Sequence, residues 1–526
     1  MKNIANESER LWTSDLGDGF YKNPILYADY SDPDVIRVGS DFYMVASSFT
    51  YIPGIPLLHS KDLVNWKVVN YIINNIPLAG YEKPQHGNGS WAPSIRYHHN
   101  KFWVYVCTPD EGLFMSSTED PLGEWSPLVC VKEVSGWIDP CPFWDEDGKA
   151  YLVHAFANSR CGIKSILMLN RMSADGTEIL DDGVIVFDGT VSHPTIEGPK
   201  MYKRNGYYYI FAPAGGVKPG WQTILRSKNI YGPFEDKIVL HQGNTDINGP
   251  HQGGYVELES GESWFIHFQD CYKYGRITHL QPVTWVEDWP LMGEDINGDG
   301  IGEPVSRWKK PNVGGVYPVQ VPETSDEFNS EKLGLQWQWQ ANPKSEWYSL
   351  TENPGHLRLF SGRDEKIHSN TLYNSSNVLS QLIQAPEFTS TVKLTLTAEN
   401  MGDRAGLAIM GYNYSYISLG KEERGYVVSQ VMGLAKDGQV EEHIVYSKVL
   451  VGNTVYFRVK VEYGMKCSFS YSVDGEEFKE LGTSFKGSEG HWVGAKIGIF
   501  NLNLTKEKSK GYADFHFIRF KKENHL

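Results

Sequence analysis

Five times in the first half of the chain a short pattern returns: Asp32-Pro33, Trp91-Ala92-Pro93, Asp139-Pro140, Glu197-Gly198-Pro199 and His251-Gln252-Gly253-Gly254. The first residues lie 59, 48, 58 and 54 positions apart. Behind each comes an aromatic strand, at Phe42-Tyr43, Phe102-Trp103, Tyr151, Tyr207-Tyr208-Tyr209 and Trp264. A repeat of this period is one supersecondary unit used several times. Each unit reads as four short strands joined by Gly, Asn and Asp turns. Four-stranded units closed into a ring make a β-propeller, here with five blades. A β-sandwich is the competing all-β reading, but it does not align side chains at this period. Helical periodicity is nearly absent. The innermost strand of each blade lines the central channel, so the five first residues should meet at one concave, polar mouth.

With 526 residues the chain exceeds what one hydrophobic core supports. The propeller is expected over residues 1–306. A linker rich in Pro, Gly and Val follows over 307–324. From 325 to 526 evenly spaced strands with tight turns predict a β-sandwich, among them Phe388 to Leu396, Val455 to Tyr463, Ala495 to Phe500 and Tyr512 to Phe520. Between them, Asp295-Ile-Asn-Gly-Asp299-Gly resembles the start of a calcium loop. Its twelfth position is Ser306 rather than Glu, so it reads as a surface turn.

A net charge of −15 disfavours nucleic acid, anionic membranes and polyanionic substrates as partners. Six scattered cysteines form no Cys-x-x-Cys pair, so no zinc or dithiol redox site is expected, and no organic cofactor. Met1 to Phe20 carries no apolar stretch of leader length, and no 18-residue apolar run occurs elsewhere. The expectation is a cytoplasmic protein, and a homo-oligomer is left open. Aromatic residues reach 13%; most of that excess belongs to β-rich cores, and the remainder to sugar stacking.

Three carboxylates at one mouth fit glycoside hydrolysis. One must protonate the leaving oxygen and another must activate water or attack carbon. Asp32 and Glu197 come from blades one and four, across the channel from each other, which suits an inverting pair; a retaining pair sits closer. Glu197 has the longer side chain and apolar neighbours in Ile196, Gly198 and Pro199, which suits the acid. Asp32 suits the base. Asp139 would keep the acid protonated and orient it. Asp34 rivals Asp32, because i and i+2 share a strand face, but the register with Asp139-Pro140 favours Asp32. Trp91 is either a buried blade anchor or a flat face for a sugar. Phe49 and Tyr51, in the loop after the second strand, either wall the pocket or cover a blade. His251 is a structural histidine, or a ligand for a metal or an anion at the channel centre. Arg276 either pairs with Asp139 or binds a sugar hydroxyl.

At these residues the chain resembles glycoside hydrolase family 43, in its β-xylosidase and α-L-arabinofuranosidase branch. The likeness lies in Ser31-Asp-Pro-Asp-Val-Ile-Arg-Val, Ser47-Ser-Phe-Thr-Tyr-Ile-Pro-Gly, Trp91-Ala-Pro, Trp137-Ile-Asp-Pro, Ile196-Glu-Gly-Pro and Gly275-Arg276. It implies Asp32 as base, Asp139 as modulator and Glu197 as acid, with Trp91 and Arg276 on the substrate. It also implies a central calcium ion held through His251, a five-bladed propeller, and a C-terminal concanavalin-like sandwich. A loop of that sandwich would close the pocket, which places Trp492 beside the substrate. Here Tyr30-Ser-Asp-Pro replaces the family's usual Asn-Pro-Asp-Pro and leaves the Asp-Pro core intact.

The expected activity is inverting, exo-acting release of xylose from non-reducing ends of β-1,4-xylo-oligosaccharides, with arabinofuranosidase side activity. The alternatives are a chain that is mainly an α-L-arabinofuranosidase and a non-catalytic glycan-binding propeller. A fructosidase lacks support, because its Trp-Met-Asn-Asp-Pro and Arg-Asp-Pro signatures are absent.

Overall fold

A computed structural model describes residues 10–362, 371–503 and 509–523. The first nine residues of the stretch read for a leader lie outside them. Five four-stranded antiparallel sheets follow one another in chain order, each a meander of consecutive strands. Their inner strands are Asp34–Val38, Trp91–His98, Trp137–Trp144, Lys200–Arg204 and His251–Glu257. The chain is therefore a five-bladed propeller followed by a sandwich, as the repeat predicts. Helix in the described residues amounts to Asn158–Cys161 and two single turns.

Ring closure is visible in the cores. Each pair of neighbouring blades shares one apolar cluster. Val45 and Leu57 meet Ile95 and Val104 between blades one and two. Leu113 and Met115 meet Leu152 and Met172 between two and three. Val153 and Leu169 meet Met201 and Ile210 between three and four. Phe211 and Ile224 meet Phe265 and Met292 between four and five. The ring shuts where Val35, Phe42 and Trp66 of blade one meet Val256, Ile266 and Leu280 of blade five. Residues ahead of blade one lock that seam: Asn23 Nδ2 donates to the Leu280 and Val305 carbonyls at 2.8 and 2.7 Å. Phe20–Lys22 also pairs with Arg307–Lys309, so the segment expected as linker begins with a strand. The loop at Asp295 is a surface turn capped by its own carboxylate, which accepts the Gly298 and Gly300 N–H groups.

A single backbone device heads all five inner strands. Asp32, Ala92, Asp139, Gly198 and Gln252 each take a left-handed conformation, with φ of 54°, 37°, 56°, 58° and 43°. In four blades a proline follows directly. The kink residues are the true equivalents, so Trp91, Glu197 and His251 stand one residue ahead of the level of Asp32 and Asp139. The sequence had set all five side chains level. Asp34, the rival of Asp32, turns away from the mouth. It is fully buried, bonds Arg96 Nη1 at 2.6 Å and accepts the Ile95 N–H at 2.9 Å. Its role is to neutralise a guanidinium inside the channel, and removing it would strand that charge at a cost of about 3–5 kcal/mol.

The sandwich stacks a seven-stranded sheet on an eight-stranded one around a core that includes Leu394, Leu407, Phe457 and Ile499. Asp326 bridges to Ile518, which brings its two ends together. Its edge reaches the propeller: Ile52 and Trp339 exchange backbone hydrogen bonds of 2.9 and 2.6 Å, and Thr50 Oγ1 donates to the Gln340 carbonyl at 3.1 Å. The loop carrying Phe49 and Tyr51 is thus pinned by the second domain.

Candidate active site

At the mouth marked by the five kinks lies a cavity of about 390 Å³. Asp32, Asp139, Glu197, Phe49, Trp91, Arg276 and Trp492 all line it. His251 is set behind Glu197 instead.

Asp32 is 5% exposed and densely held. Ser31 Oγ and Ser47 Oγ donate to its Oδ2 at 2.7 and 2.6 Å, and Arg276 Nη1 lies 3.1 Å from Oδ1. Ser47 in turn accepts the Ala92 N–H at 2.7 Å, which ties the kink of blade two to the carboxylate of blade one. Donors on both oxygens fix the carboxylate in one orientation. Arg276 pairs with Asp32 and not with Asp139, because it heads the third strand of blade five, the neighbour of blade one across the closed seam.

Glu197 is partly open to solvent, and its Oε1 lies 2.9 Å from His251 Nε2. His251 is fully buried, and its Nδ1 has no hydrogen-bond partner among the described residues. Asp139, at 4% exposure, is as buried as Asp32 and accepts the Gly198 N–H at 2.8 Å. Burial pushes its carboxyl up to about 7. The charges of Glu197 and Asp32 act the same way, while Lys200 and the Gly198 N–H oppose them. Lys200 is itself fully buried, and its ammonium finds no hydrogen-bond partner among the described residues. The sequence placed the apolar setting at Glu197; the fold places the deeper burial at Asp139 and leaves Glu197 partly open.

The walls are aromatic. Phe49 packs edge-on to Trp91 with centroids 6.1 Å apart, and Trp91 meets Trp492 at 6.5 Å. Phe49, Tyr51 and the sandwich residue Val493 form one small apolar cluster, against which Trp91 packs. Phe49 therefore walls the cavity while Tyr51 backs it. Trp492 is 47% exposed, and its ring lies 5.8 Å from the Arg276 guanidinium.

Three contributors escaped the sequence reading. Gln252 is 4% exposed on the cavity wall, and its buried Nε2, close against Gly198, has no hydrogen-bond partner among the described residues. Its place beside His251 at the head of blade five was the available signal. Ser47 lies in the Ser47-Ser48-Phe49 run, where the aromatic residue carries the stronger signal. Arg160 lies 5.2 Å from the Trp91 ring and bonds Asn88 Oδ1 at 2.6 Å; nothing in sequence ties it to the site.

The buried Asp139 has a thermodynamic signature. A carboxyl raised from 3.8 to about 7 on folding gives stability that is full below the lower value and lost as pH climbs through the upper one. Asp139→Asn keeps the shape and removes the titration. Its melting temperature should exceed that of the native chain by a few degrees at pH 8, with the gap closing by pH 5. Equal differences at both pH values would contradict the assignment.

The profile of Glycosyl hydrolases family 43 matches residues 21–290, and that of the Beta xylosidase C-terminal Concanavalin A-like domain matches residues 325–521. A putative beta-xylosidase of Xylanibacter ruminicola is 42% identical over 499 residues, covering 94% of this chain and 88% of the relative. A non-reducing end alpha-L-arabinofuranosidase of Bacteroides ovatus is 30% identical, covering 82% of each chain. Among solved structures, a xylan beta-1,4-xylosidase from Bacillus halodurans superposes with a TM-score of 0.84 at 25% identity, covering 95% of this chain and all of that one. With a five-bladed ring, three carboxylates at its mouth and these matches, the chain belongs to glycosyl hydrolase family 43.

Proposed function

We propose that this glycosidase releases single xylose units from the non-reducing ends of β-1,4-xylo-oligosaccharides, with inversion and with α-L-arabinofuranosidase side activity. The observation that carries the reading is the small cavity itself. Three carboxylates in three different surroundings share it with Trp91, Phe49 and Trp492. Its volume lies at the low end for sites that enclose a small ligand, which favours a chain end over a chain interior. The 42% identical relative named as a putative beta-xylosidase supports the xylose, and the arabinofuranosidase relative supports the second activity.

The residues divide the work by their contacts. Asp32 deprotonates the attacking water, its other lone pairs being engaged by Ser31, Ser47 and Arg276. Glu197 delivers a proton to the leaving oxygen from the more open position, with His251 fixing its Oε1. Asp139 is the modulator: it holds the backbone beside the acid through the Gly198 N–H, and its own proton is coupled to the charge of Glu197. The Arg276 guanidinium is a donor for a sugar hydroxyl, and the indoles of Trp91 and Trp492 supply stacking faces.

Calcium at His251 finds a thin donor set. No three His, Cys, Asp or Glu side chains converge on one point among the described residues. The Nδ1 face is closed by the Gly220 backbone, where an added Cβ would stand 3.1 Å away. The one protein ligand left is Nε2, in exchange for its Glu197 contact, with water filling the other positions of a six- to eight-coordinate ion. Bound there, the ion would supply positive charge behind the acid. Added calcium should then raise the melting temperature of the native chain and leave His251→Ala unmoved; no rise in the native chain removes calcium from the account.

Replacing Glu197 with Ala should lower kcat on xylobiose about 10²–10⁴-fold. The loss should be smaller on an aryl xyloside whose leaving group needs little protonation. Rates surviving within a few-fold on both substrates would remove Glu197 as the acid. The ratio of aryl xyloside to aryl arabinofuranoside turnover in the native chain decides between the two activities, and binding without turnover on either would favour a lectin-like propeller.

A further inference from the structure

The clamp on Asp32 and the Trp492 wall trace back to one buried carboxylate that no step of the chemistry uses. Asp29, three residues ahead of the base, is 7% exposed. Its Oδ1 accepts the Arg276 N–H at 2.8 Å, and its Oδ2 accepts the Gly494 N–H at 2.7 Å. One donor belongs to blade five of the propeller and the other to the sandwich. Arg276 is the residue whose guanidinium holds Asp32, and Gly494 follows Trp492 by two positions.

The three segments touch at backbone distance. A Cβ added to Gly275 would fall 2.3 Å from Asp29 Cγ, and one added to Gly494 would fall 2.6 Å from the Gly275 nitrogen. The Ala495 N–H also donates to the Lys273 carbonyl at 2.7 Å. No side chain other than hydrogen fits at either glycine, so the loop bearing Trp492 and the turn bearing Arg276 share one surface, with Asp29 as its polar centre.

Lys496 completes the arrangement. It is 3% exposed on the next sandwich strand, with its ammonium 4.1 Å from the Tyr51 ring centroid. The charged groups that face Asp29 are Lys496 from the sandwich and Arg276 from blade five, and Tyr51 is its titratable neighbour from blade one. Burial raises the Asp29 carboxyl, while Lys496 and the two N–H donors hold it down. Burial likewise lowers Lys496 to about 8, and Asp29 opposes that fall. Each charge therefore eases the burial of the other.

We propose that Asp29, with Lys496 as its counter-charge, is a positioning residue. It sets the Arg276 clamp on the base and the Trp492 wall of the pocket from a single carboxylate, and it makes the sandwich part of the active-site frame. The inference rests on the reading of Asp32 as base and of this cavity as the sugar site.

A double-mutant cycle on the full-length chain, assayed well below its melting temperature with an aryl xyloside, tests it. Asp29→Asn keeps the size, loses the charge and turns one of the two acceptors into a donor. It should lower kcat/KM about tenfold, the scale of a charge-assisted hydrogen bond, and raise KM. In a Trp492→Ala background, where KM is already raised, the further rise in KM should shrink to about twofold or less, while the fall in kcat that runs through the Arg276 clamp persists. A residue with a merely structural role would lower the melting temperature and leave the two effects on KM multiplicative, and multiplicative KM effects overturn the proposal. If Asp29→Asn does not fold, Lys496→Met, which strips the counter-charge and keeps both acceptor oxygens, must show the same non-additivity with Trp492→Ala or the proposal falls. An active Asp32→Ala variant would instead sink the reading of the base, which the cycle between Asp29 and Trp492 does not depend on.

Discussion

The left-handed residue at the head of each inner strand is the constraint on which the site depends. Such a conformation costs a non-glycine residue on the order of 1–3 kcal/mol and persists only where its surroundings over-determine it. Here the surroundings are the preceding blades. The Ala92 N–H is held by Ser47 of blade one, and the Gly198 N–H by Asp139 of blade three. Asp is among the residues that tolerate the conformation best, because its short carboxylate bonds locally. At the kinks of blades one and three, the same two aspartates therefore turn the backbone and bring a carboxylate to the cavity. Blade four spends a glycine on the kink, which frees the preceding position for the longer arm of Glu197.

Five-fold repetition creates the site, and departures from it create the mechanism. Identical positions would give five identical side chains and no division of labour. Asp32 is surrounded by donors, Asp139 is buried beside other negative charges, and Glu197 is near the opening against an imidazole. Separated environments for chemically similar groups are how acid and base roles are assigned within one cavity. Lower in the channel the balance reverses: Arg96 is neutralised by Asp34, while Lys200 brings a buried positive charge to bear on Asp139.

Much of this was legible in the residues. The recurring Asp-Pro, Trp-Ala-Pro and Glu-Gly-Pro heads were enough for the five blades and for the set of residues at the mouth. The one-residue stagger was not, because alignment on the first chemically active side chain hides the shared proline. In the sandwich, the strands at Phe388–Thr397 and Thr454–Glu462 were readable from their alternation. The meander of Asn413–Glu422, Gly425–Lys436 and Gln439–Leu450 was not. Its last strand is a sheet edge with both faces largely exposed, so no buried face imposes a period of two. Asp29 and Lys496 were invisible for a different reason: they lie 467 positions apart, and only the docking of the two domains makes them neighbours.

The second domain is therefore structural for the first. It pins the Phe49 loop through Trp339, packs Val493 behind the aromatic wall, and contributes Trp492 to the cavity. At the centre of the account stands the assignment of Asp32 and Glu197 to opposite sides of the scissile bond, with water between base and sugar. Proton NMR of the first sugar released from a β-xyloside, recorded before mutarotation, tests this most directly. The account predicts initial appearance of the α-anomer; initial appearance of the β-anomer would contradict it.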